Sequence, residues 1–372
     1  WLTDAEINAL VECVRDSNDW RTGFSGPEIE EFEQEFAEYC GVEHAIAVNS
    51  CGTGLDVSMM CLDLEPGDEV ISPAITFKAT HQAIAGQGGT VVMAEVEPET
   101  FNIDPASVEA CMTENTRAIL AVHNNGLSAY MDELEQICAD HPHPEHGPPK
   151  VIGDAARGCG AAYKDTKVGK MGWMNVFSFQ TSKNMTTLGE GGMITTDDGD
   201  AAERARAIRA FGAGTGHWGT NYRMTRPQAA VGLVQLSRLD EMNDLRRDRA
   251  HRLTALLSDI EELTLPTEPD GCYHIYYGYT VMVPEDWAGE RRQMLMEWLM
   301  EERGVGTVVM NDATWHQDPF IAALGFSAED APRSELIGNR LFCLSVHPLM
   351  SDEDLEYIAE AMADGVAIVA AS

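Results

Sequence analysis

Between residue 27 and about residue 200, short apolar runs alternate with stretches of helical period, with brief turns between them. The runs at 44–48, 69–72, 90–93, 118–122 and 151–153 predict strands, each short and apolar, as expected of strands buried on both faces. Two more, at 175–179 and 193–196, bracket a polar loop that contains glycine. Helical readings fall between them at 55–62, 78–85, 105–112 and 131–140. A further helix starts at Ser25-Gly26-Pro27-Glu28, with a cap and a proline in its first turn, and Phe32, Phe36 and Tyr39 follow at helical spacing. Alternating helix and strand predicts a mainly parallel sheet flanked by helices.

Residues 201–260 read as strongly helical. One long amphipathic run passes through Leu233, Leu236, Leu239, Met242 and Leu245 and carries an Arg-rich solvent face. Beyond about residue 262 the pattern becomes strand (275–283), helix (291–303), strand (306–310), strand (341–345) and a last helix from Asp352 to about Val369. The expected architecture is an α/β fold with a large domain at 1–255, including an N-terminal helical segment, and a small C-terminal α+β domain at 256–372.

Composition narrows the function. With 44% hydrophobic residues among 372, disorder is excluded. Asp and Glu total 61 against 25 Lys and Arg, a net charge of −36 that repels a phosphate backbone, so a nucleic-acid partner is not expected. No apolar stretch approaches the roughly 20 residues that span a bilayer, and the first residues carry no basic segment, so a cytoplasmic protein without a membrane anchor is expected. The nine cysteines are odd in number and form no CxxC pair, which reads as reduced thiols rather than a disulfide framework or zinc site. The three histidines of His141-Pro142-His143-Pro144-Glu145-His146 read as a solvated loop, and no metal is expected.

Three elements carry candidate chemistry. Of six lysines, Lys183 alone follows a predicted strand and precedes a Gly-rich loop, at the carboxyl end of a sheet strand, where open α/β folds build their sites. The alternative is an ordinary surface lysine. Val151-Ile152-Gly153-Asp154-Ala155-Ala156 is an apolar strand ending in a carboxylate, which reads as a cation partner or as a turn residue. Val48-Asn49-Ser50-Cys51-Gly52-Thr53-Gly54 is a strand entering a helix through small residues, a turn able to offer N–H groups to a phosphate. It lacks the GxGxxG and GxxxxGK[ST] spacings of dinucleotide and ATP sites. A lysine, a strand-end carboxylate and a phosphate turn are together the parts that a pyridoxal phosphate (PLP) enzyme needs.

Further motifs continue this order: Gly67-Asp68-Glu69-Val70-Ile71-Ser72-Pro73 with Thr76-Phe77, Phe101-Asn102-Ile103-Asp104, Val122-His123, Phe177-Ser178-Phe179, Lys183-Asn184, Gly189-Glu190-Gly191-Gly192, Asn221-Tyr222-Arg223-Met224, Trp315-His316-Gln317 and Leu344-Ser345-Val346-His347-Pro348. In this order the chain resembles the DegT/DnrJ/StrS family of PLP-dependent sugar aminotransferases of fold type I. The resemblance implies a large domain with a mainly parallel seven-stranded sheet. It also implies that Lys183 binds PLP as a Schiff base and then moves a proton as the free amine, and that Asp154 pairs with the pyridinium nitrogen. Phe77 would stack on the ring, and Gly52, Thr53 and Ser178 would hold the phosphate. Asn221 would reach the phosphate of a neighbouring subunit, which makes the expected assembly a homodimer with shared active sites. His123, Tyr222, Arg223 and His316 fall on the substrate side.

Two positions depart from the family. Arg157 stands where the family usually has Gln or His, and Leu127 replaces a common Gln. Arg157 fits three roles: holding a carboxylate of the amino donor, holding an acidic acceptor, or contacting the cofactor. The resemblance implies transfer of an amino group from L-glutamate or L-glutamine to a keto or aldehydo sugar, nucleotide-linked in the first reading. The alternatives are a cyclitol or carboxylated cyclic ketone as acceptor, as in aminohydroxybenzoate synthesis, or a non-catalytic PLP- or sugar-binding regulator.

The scarcity of lysine beside so many carboxylates is also what adaptation to high salt produces, although solubility explains part of it. If salt adaptation holds, the thermal unfolding midpoint rises steadily from low to molar KCl, as screening relieves repulsion among the 61 acidic residues. A midpoint indifferent to salt refutes it.

Overall fold

A computed structural model describes residues 2–18, 26–216 and 218–371. The apolar runs form one seven-stranded sheet from β1 (His44–Val48), β2 (Glu69–Pro73), β3 (Thr90–Ala94), β4 (Thr116–Val122), β5 (Lys150–Asp154), β6 (Met174–Ser178) and β7 (Gly192–Thr196). Their spatial order is β1-β7-β6-β5-β4-β2-β3. Only β7 runs against its neighbours, and the other pairs are parallel. The mainly parallel sheet is therefore as expected. Six carboxyl ends and the start of β7 meet along one edge.

Both faces of the sheet are covered. Leu55, Met59 and Ile84 from helices pack with Ile46, Leu120 and Ile152 on one side, and Phe32 and Phe36 pack with Phe177 and Phe179 on the other. Phe32 and Phe36 come from the helix Pro27–Cys40, where Pro27 occupies the first turn as read from the sequence. The cap position is Gly26, and Ser25 lies outside the described residues.

The phosphate turn is more helical than its sequence indicates. The helix begins at Cys51, four residues before the expected start, because the Ser50 hydroxyl caps it by accepting the Thr53 N–H at 3.2 Å. Gly54 lets this helix lie on the sheet, since a Cβ there would sit 3.4 Å from Val48 and closer still to Val176.

The continuous helical reading of 201–260 is corrected. A helix at Gly199–Arg209 gives way to irregular chain, and helices Arg226–Ser237 and Leu239–Leu257 follow. The break contains Gly212, Gly214 and Gly216, all at positive φ, where other residues are strained. In the longer helix the buried face carries Leu239, Asn243, Arg246, Ala250, Leu253 and Leu257, while Leu245 is exposed. Its arginines are not a simple solvent face. Arg246 is buried and donates to the Val346 carbonyl at 3.2 Å, Arg247 pairs with Glu268 at 2.7 Å, and Arg249 pairs with Asp352 at 2.7 Å.

The C-terminal part packs around a three-stranded antiparallel sheet of Tyr279–Met282, Leu341–Leu344 and Thr307–Val308. The helices Glu290–Arg303 and Asp352–Ala371 cover it, and its apolar cluster takes in Ala250, Leu253 and Leu257 of the long helix. The strand read at 275–283 is shorter than expected. Ile275 and Gly278 give their N–H groups to the carbonyls of Gly126 and Asn125 in the large sheet's loops, at 3.0 and 3.2 Å. Tyr276 between them turns at φ 46°.

Candidate active site

The shared edge of the sheet gathers most of the residues singled out by the sequence. Asp154 ends β5 and is 4% exposed. Its Oδ2 accepts from the Thr80 hydroxyl at 2.9 Å and its Oδ1 from the Ala156 N–H at 3.1 Å. Burial pushes the carboxyl above its ordinary range, opposed by those two bonds and by the positive charges of Lys183 and Arg157. A buried carboxylate in this setting has a strong demand for a cation. Thr80 also bonds the Thr76 hydroxyl at 2.8 Å, which ties Asp154 to the segment that presents Phe77. The Phe77 ring is 56% exposed, an open aromatic face.

Lys183 follows β6 on an irregular loop and is half-buried. Its Nζ donates to the Tyr277 hydroxyl at 3.3 Å and lies 4.4 Å from the centre of that ring. Arg157 is buried. It donates through Nη1 to Asn311 at 2.5 Å and Asn124 at 3.2 Å, and through Nη2 to the Met310 carbonyl at 3.1 Å. These partners are neutral, so the guanidinium keeps its charge in the site. Asn311 continues to Asn125 at 2.7 Å and Thr280 at 3.2 Å, so this amide network joins the C-terminal sheet to the loop after β4.

The phosphate elements meet at the same edge. Ser178 pairs in register with Gly192, the residue that opens β7. A Cβ on Gly192 would lie 2.7 to 2.8 Å from the backbone of Ser50 and Cys51, so glycine is what lets the helix N-terminus approach this strand pair. Gly52 sits in the first turn, where N–H groups have no intrahelical acceptor, and Thr53 turns its hydroxyl to Asn49 at 2.7 Å.

The remaining predicted residues divide. His123 is adjacent to Asp154, whose carbonyl accepts the His123 N–H at 3.1 Å. Its side chain is fully buried, and Nδ1 accepts the Ala129 N–H at 3.2 Å, which leaves the proton on Nε2. Burial lowers its pKa to about 4, partly offset by Asn175, so the ring is neutral near pH 7. Nε2 makes no well-formed hydrogen bond, and it faces the equally unpartnered Asn175 Oδ1 beside Gly153. The Tyr222 carbonyl holds the Asn49 N–H at 2.8 Å, so residues 221–223 run beside the phosphate turn. Arg223 donates to Asn221 at 3.0 Å and lies 5.5 Å from the Phe211 ring. His316 is paired with Glu335 at 2.9 Å on an exposed face. Its neighbour Gln317 reaches the site instead, donating to the Thr76 carbonyl at 2.7 Å.

Sequence reading missed Thr80, Tyr277, Asn124, Asn125 and Asn311. Thr80 had a local signal, four residues after Thr76 at the start of a helix. Asn124 and Asn125 follow the singled-out His123, whereas Asn311 had no such signal and Tyr277 fell within an expected strand. The loop His141–Pro149 holds no metal cluster, and no group of three or more metal-binding side chains occurs among the described residues. No described helix is long and apolar enough to cross a membrane.

The residues present fit PLP. The buried carboxylate suits a pyridinium, Phe77 offers a ring face, the helix N-terminus with Ser178 offers donors to a phosphate, and Lys183 supplies the amine. Comparisons agree. A sequence profile described as the DegT/DnrJ/EryC1/StrS aminotransferase family matches residues 2–363. A GDP-perosamine synthase of Caulobacter vibrioides is 38% identical over 303 residues, covering 80% of this chain and 79% of the relative. Streptomyces venezuelae DesV, solved with a ketimine intermediate, superposes with a TM-score of 0.89 at 30% identity, covering 98% of this chain and 95% of that one. A 3-amino-5-hydroxybenzoic acid synthase superposes equally well, at 0.89 and 31% identity, covering 99% and 97%. Other solved structures of this fold hold PLP and PMP forms.

Thr80→Val removes a hydrogen bond to a buried carboxylate and is expected to weaken PLP binding about tenfold in a spectral titration. If Asp154 holds a pyridinium nitrogen, Asp154→Asn removes the charge opposite it and should slow the half-reaction with an amino donor on the order of a thousandfold. Unchanged values would remove Asp154 from the cofactor's nitrogen.

Proposed function

The chain belongs to the DegT/DnrJ/EryC1/StrS aminotransferase family and is a PLP-dependent transaminase, and from that premise we propose that it moves an amino group from L-glutamate or L-glutamine to a keto sugar carried on a nucleotide. The observation that carries this reading is the charge of the site. In a chain of net charge −36, Lys183 and Arg157 gather about Asp154 beside a helix N-terminus, with Glu190 a further carboxylate acting at that helix end. Such an island of positive charge attracts anionic ligands. The name of the GDP-perosamine synthase points to a nucleotide-linked product.

Bound PLP supplies an aldehyde that exchanges amino groups and a ring that accepts electrons. Asp154 would hold the ring nitrogen, Phe77 the ring face, and Gly52, Thr53 and Ser178 the phosphate. Lys183 Nζ would carry the proton from the donor's α-carbon to the cofactor's C4′ and, in the second half of the cycle, from C4′ to the acceptor's carbon. Arg157, with its neutral partners, would stand near the ring and leave the acceptor's carbonyl a positive neighbour. The hydroxybenzoic acid synthase similarity supports a second acceptor class, a cyclic ketone with a carboxylate, which Arg157 would bind.

We also propose a homodimer in which Asn221 reaches the partner's phosphate. Asn221 is exposed, and Phe211 and Trp218 in the same loop are 62% and 66% exposed, an apolar patch of the kind that subunits cover.

The absorption spectrum tests the cofactor chemistry. The purified protein is expected to be yellow and to bleach with L-glutamate, and Lys183→Ala is expected to lose the lysine-bound band. A protein that stays colourless after incubation with PLP would sink the reading, and a panel of nucleotide-linked ketosugars against carboxylated cyclic ketones separates the two acceptors. Light scattering tests the assembly: Trp218→Glu should give monomers with weakened PLP binding, and an unaltered dimer would place the interface elsewhere.

A further inference from the structure

Tyr277 occupies a position that nothing in the chain's local pattern demands. Its stretch leaves the strand ladder between Ile275 and Gly278, whose N–H groups bind the loop after β4. The intervening Tyr276 adopts φ 46°, an uncommon conformation for a bulky residue. Tyr276 itself is buried and stacked on His274, with ring centres 3.9 Å apart. Anchored on both sides, the turn delivers the next side chain to the sheet edge. Strain kept at such a point is a mark of a functional constraint.

The delivered phenol meets Lys183. The lysine Nζ donates to its oxygen at 3.3 Å and sits 4.4 Å from the ring centre, so one side chain offers both an acceptor and a π face to the same cation. Arg157 lies 5.9 Å from that ring, and the charge of Arg246 also reaches the phenol. Ser182 adds a second hydrogen bond, while the charge of Lys183 also reaches Asp154 and Cys51. Burial raises the phenol's pKa, but Lys183, Ser182 and Arg157 outweigh it and the net shift is downward. The phenol oxygen thus sits in a cationic surrounding, with Lys183 as its donor.

We propose that Tyr277 is the positioning residue of Lys183, holding the lysine nitrogen by its phenol oxygen and ring face so that the amine is aimed along the edge between Asp154 and the helix N-terminus at Cys51. The inference rests on Lys183 being the cofactor lysine. It assigns Tyr277 no bond to the substrate, only the orientation and charge of the nitrogen that moves the proton.

Tyr277→Phe keeps the ring and removes the oxygen. In the PLP-loaded protein, the pH midpoint of the visible absorption is expected to fall by about one unit, because the oxygen that favours the protonated nitrogen is gone. The half-reaction with L-glutamate is expected to slow about tenfold while KM stays within about twofold, because Tyr277 orients the lysine and does not bind the substrate. Tyr277→His, which restores an acceptor, should recover part of the midpoint. A midpoint and rate unchanged in Tyr277→Phe, or no recovery in Tyr277→His, overturns the proposal. Borohydride reduction followed by peptide mass analysis keeps the two readings distinct: a wild-type label away from Lys183 defeats the proposed function itself, whereas a label on Lys183 with an unaltered Tyr277→Phe defeats only this inference.

Discussion

A carboxylate 4% exposed at the end of a sheet strand is the constraint around which this site is organised. Asp154 cannot be left in a low-dielectric setting without compensation, and the compensation comes from separate parts of the chain. Thr80 donates from the helix after β2, Ala156 from the next turn, and Lys183 and Arg157 contribute charge. Each of those donors is in turn held by something else: Thr80 by Thr76, Lys183 by Tyr277, and Arg157 by Asn124 and Asn311. The site combines hydrogen bonds and longer-range charge interactions around one buried carboxyl group.

The sheet makes this arrangement possible. Because only β7 is antiparallel, the carboxyl ends of β2, β4, β5 and β6 deliver Phe77, His123, Asp154 and Lys183 to one edge, and the end of β1 delivers the helix N-terminus. Gly192 and Gly54 then settle how closely that helix can approach. The C-terminal sheet closes the other side through Asn311, Thr280 and Tyr277, so the site lies between two packed units. That placement lets the smaller unit influence the lysine without touching the carboxylate.

Charge has a different character at the surface and at the site. The surface is heavily acidic, with few lysines to balance it. The site gathers cations instead, with Lys183, Arg157 and a helix N-terminus about Asp154, and Glu190 acting at the same helix end. Among the described residues Arg157 makes no salt bridge, and it is held by amide and carbonyl oxygens that fix its position. A fixed, uncancelled charge is well suited to an anionic ligand, because no internal ion pair has to break before it binds.

What the sequence determined by itself were the features carried by local pattern and order. The buried strands, the strand-end positions of Lys183 and Asp154 and the small-residue turn into a helix were all legible, because a parallel sheet forces apolar runs and puts strand-end residues at one edge. The extra helical turn at Cys51 was missed only because Ser50 was read as part of the turn rather than as its cap. Residues joined over long separations were decided by the tertiary structure alone. Asn311 meets Asn125 across 186 positions and Lys183 meets Tyr277 across 94. Arg246 is buried where periodicity placed a solvent face, and His316 pairs with Glu335 while Gln317 takes the site-facing role. Periodicity reports which face of an element is apolar, but which side chain a second unit presents to that face depends on how the two units pack.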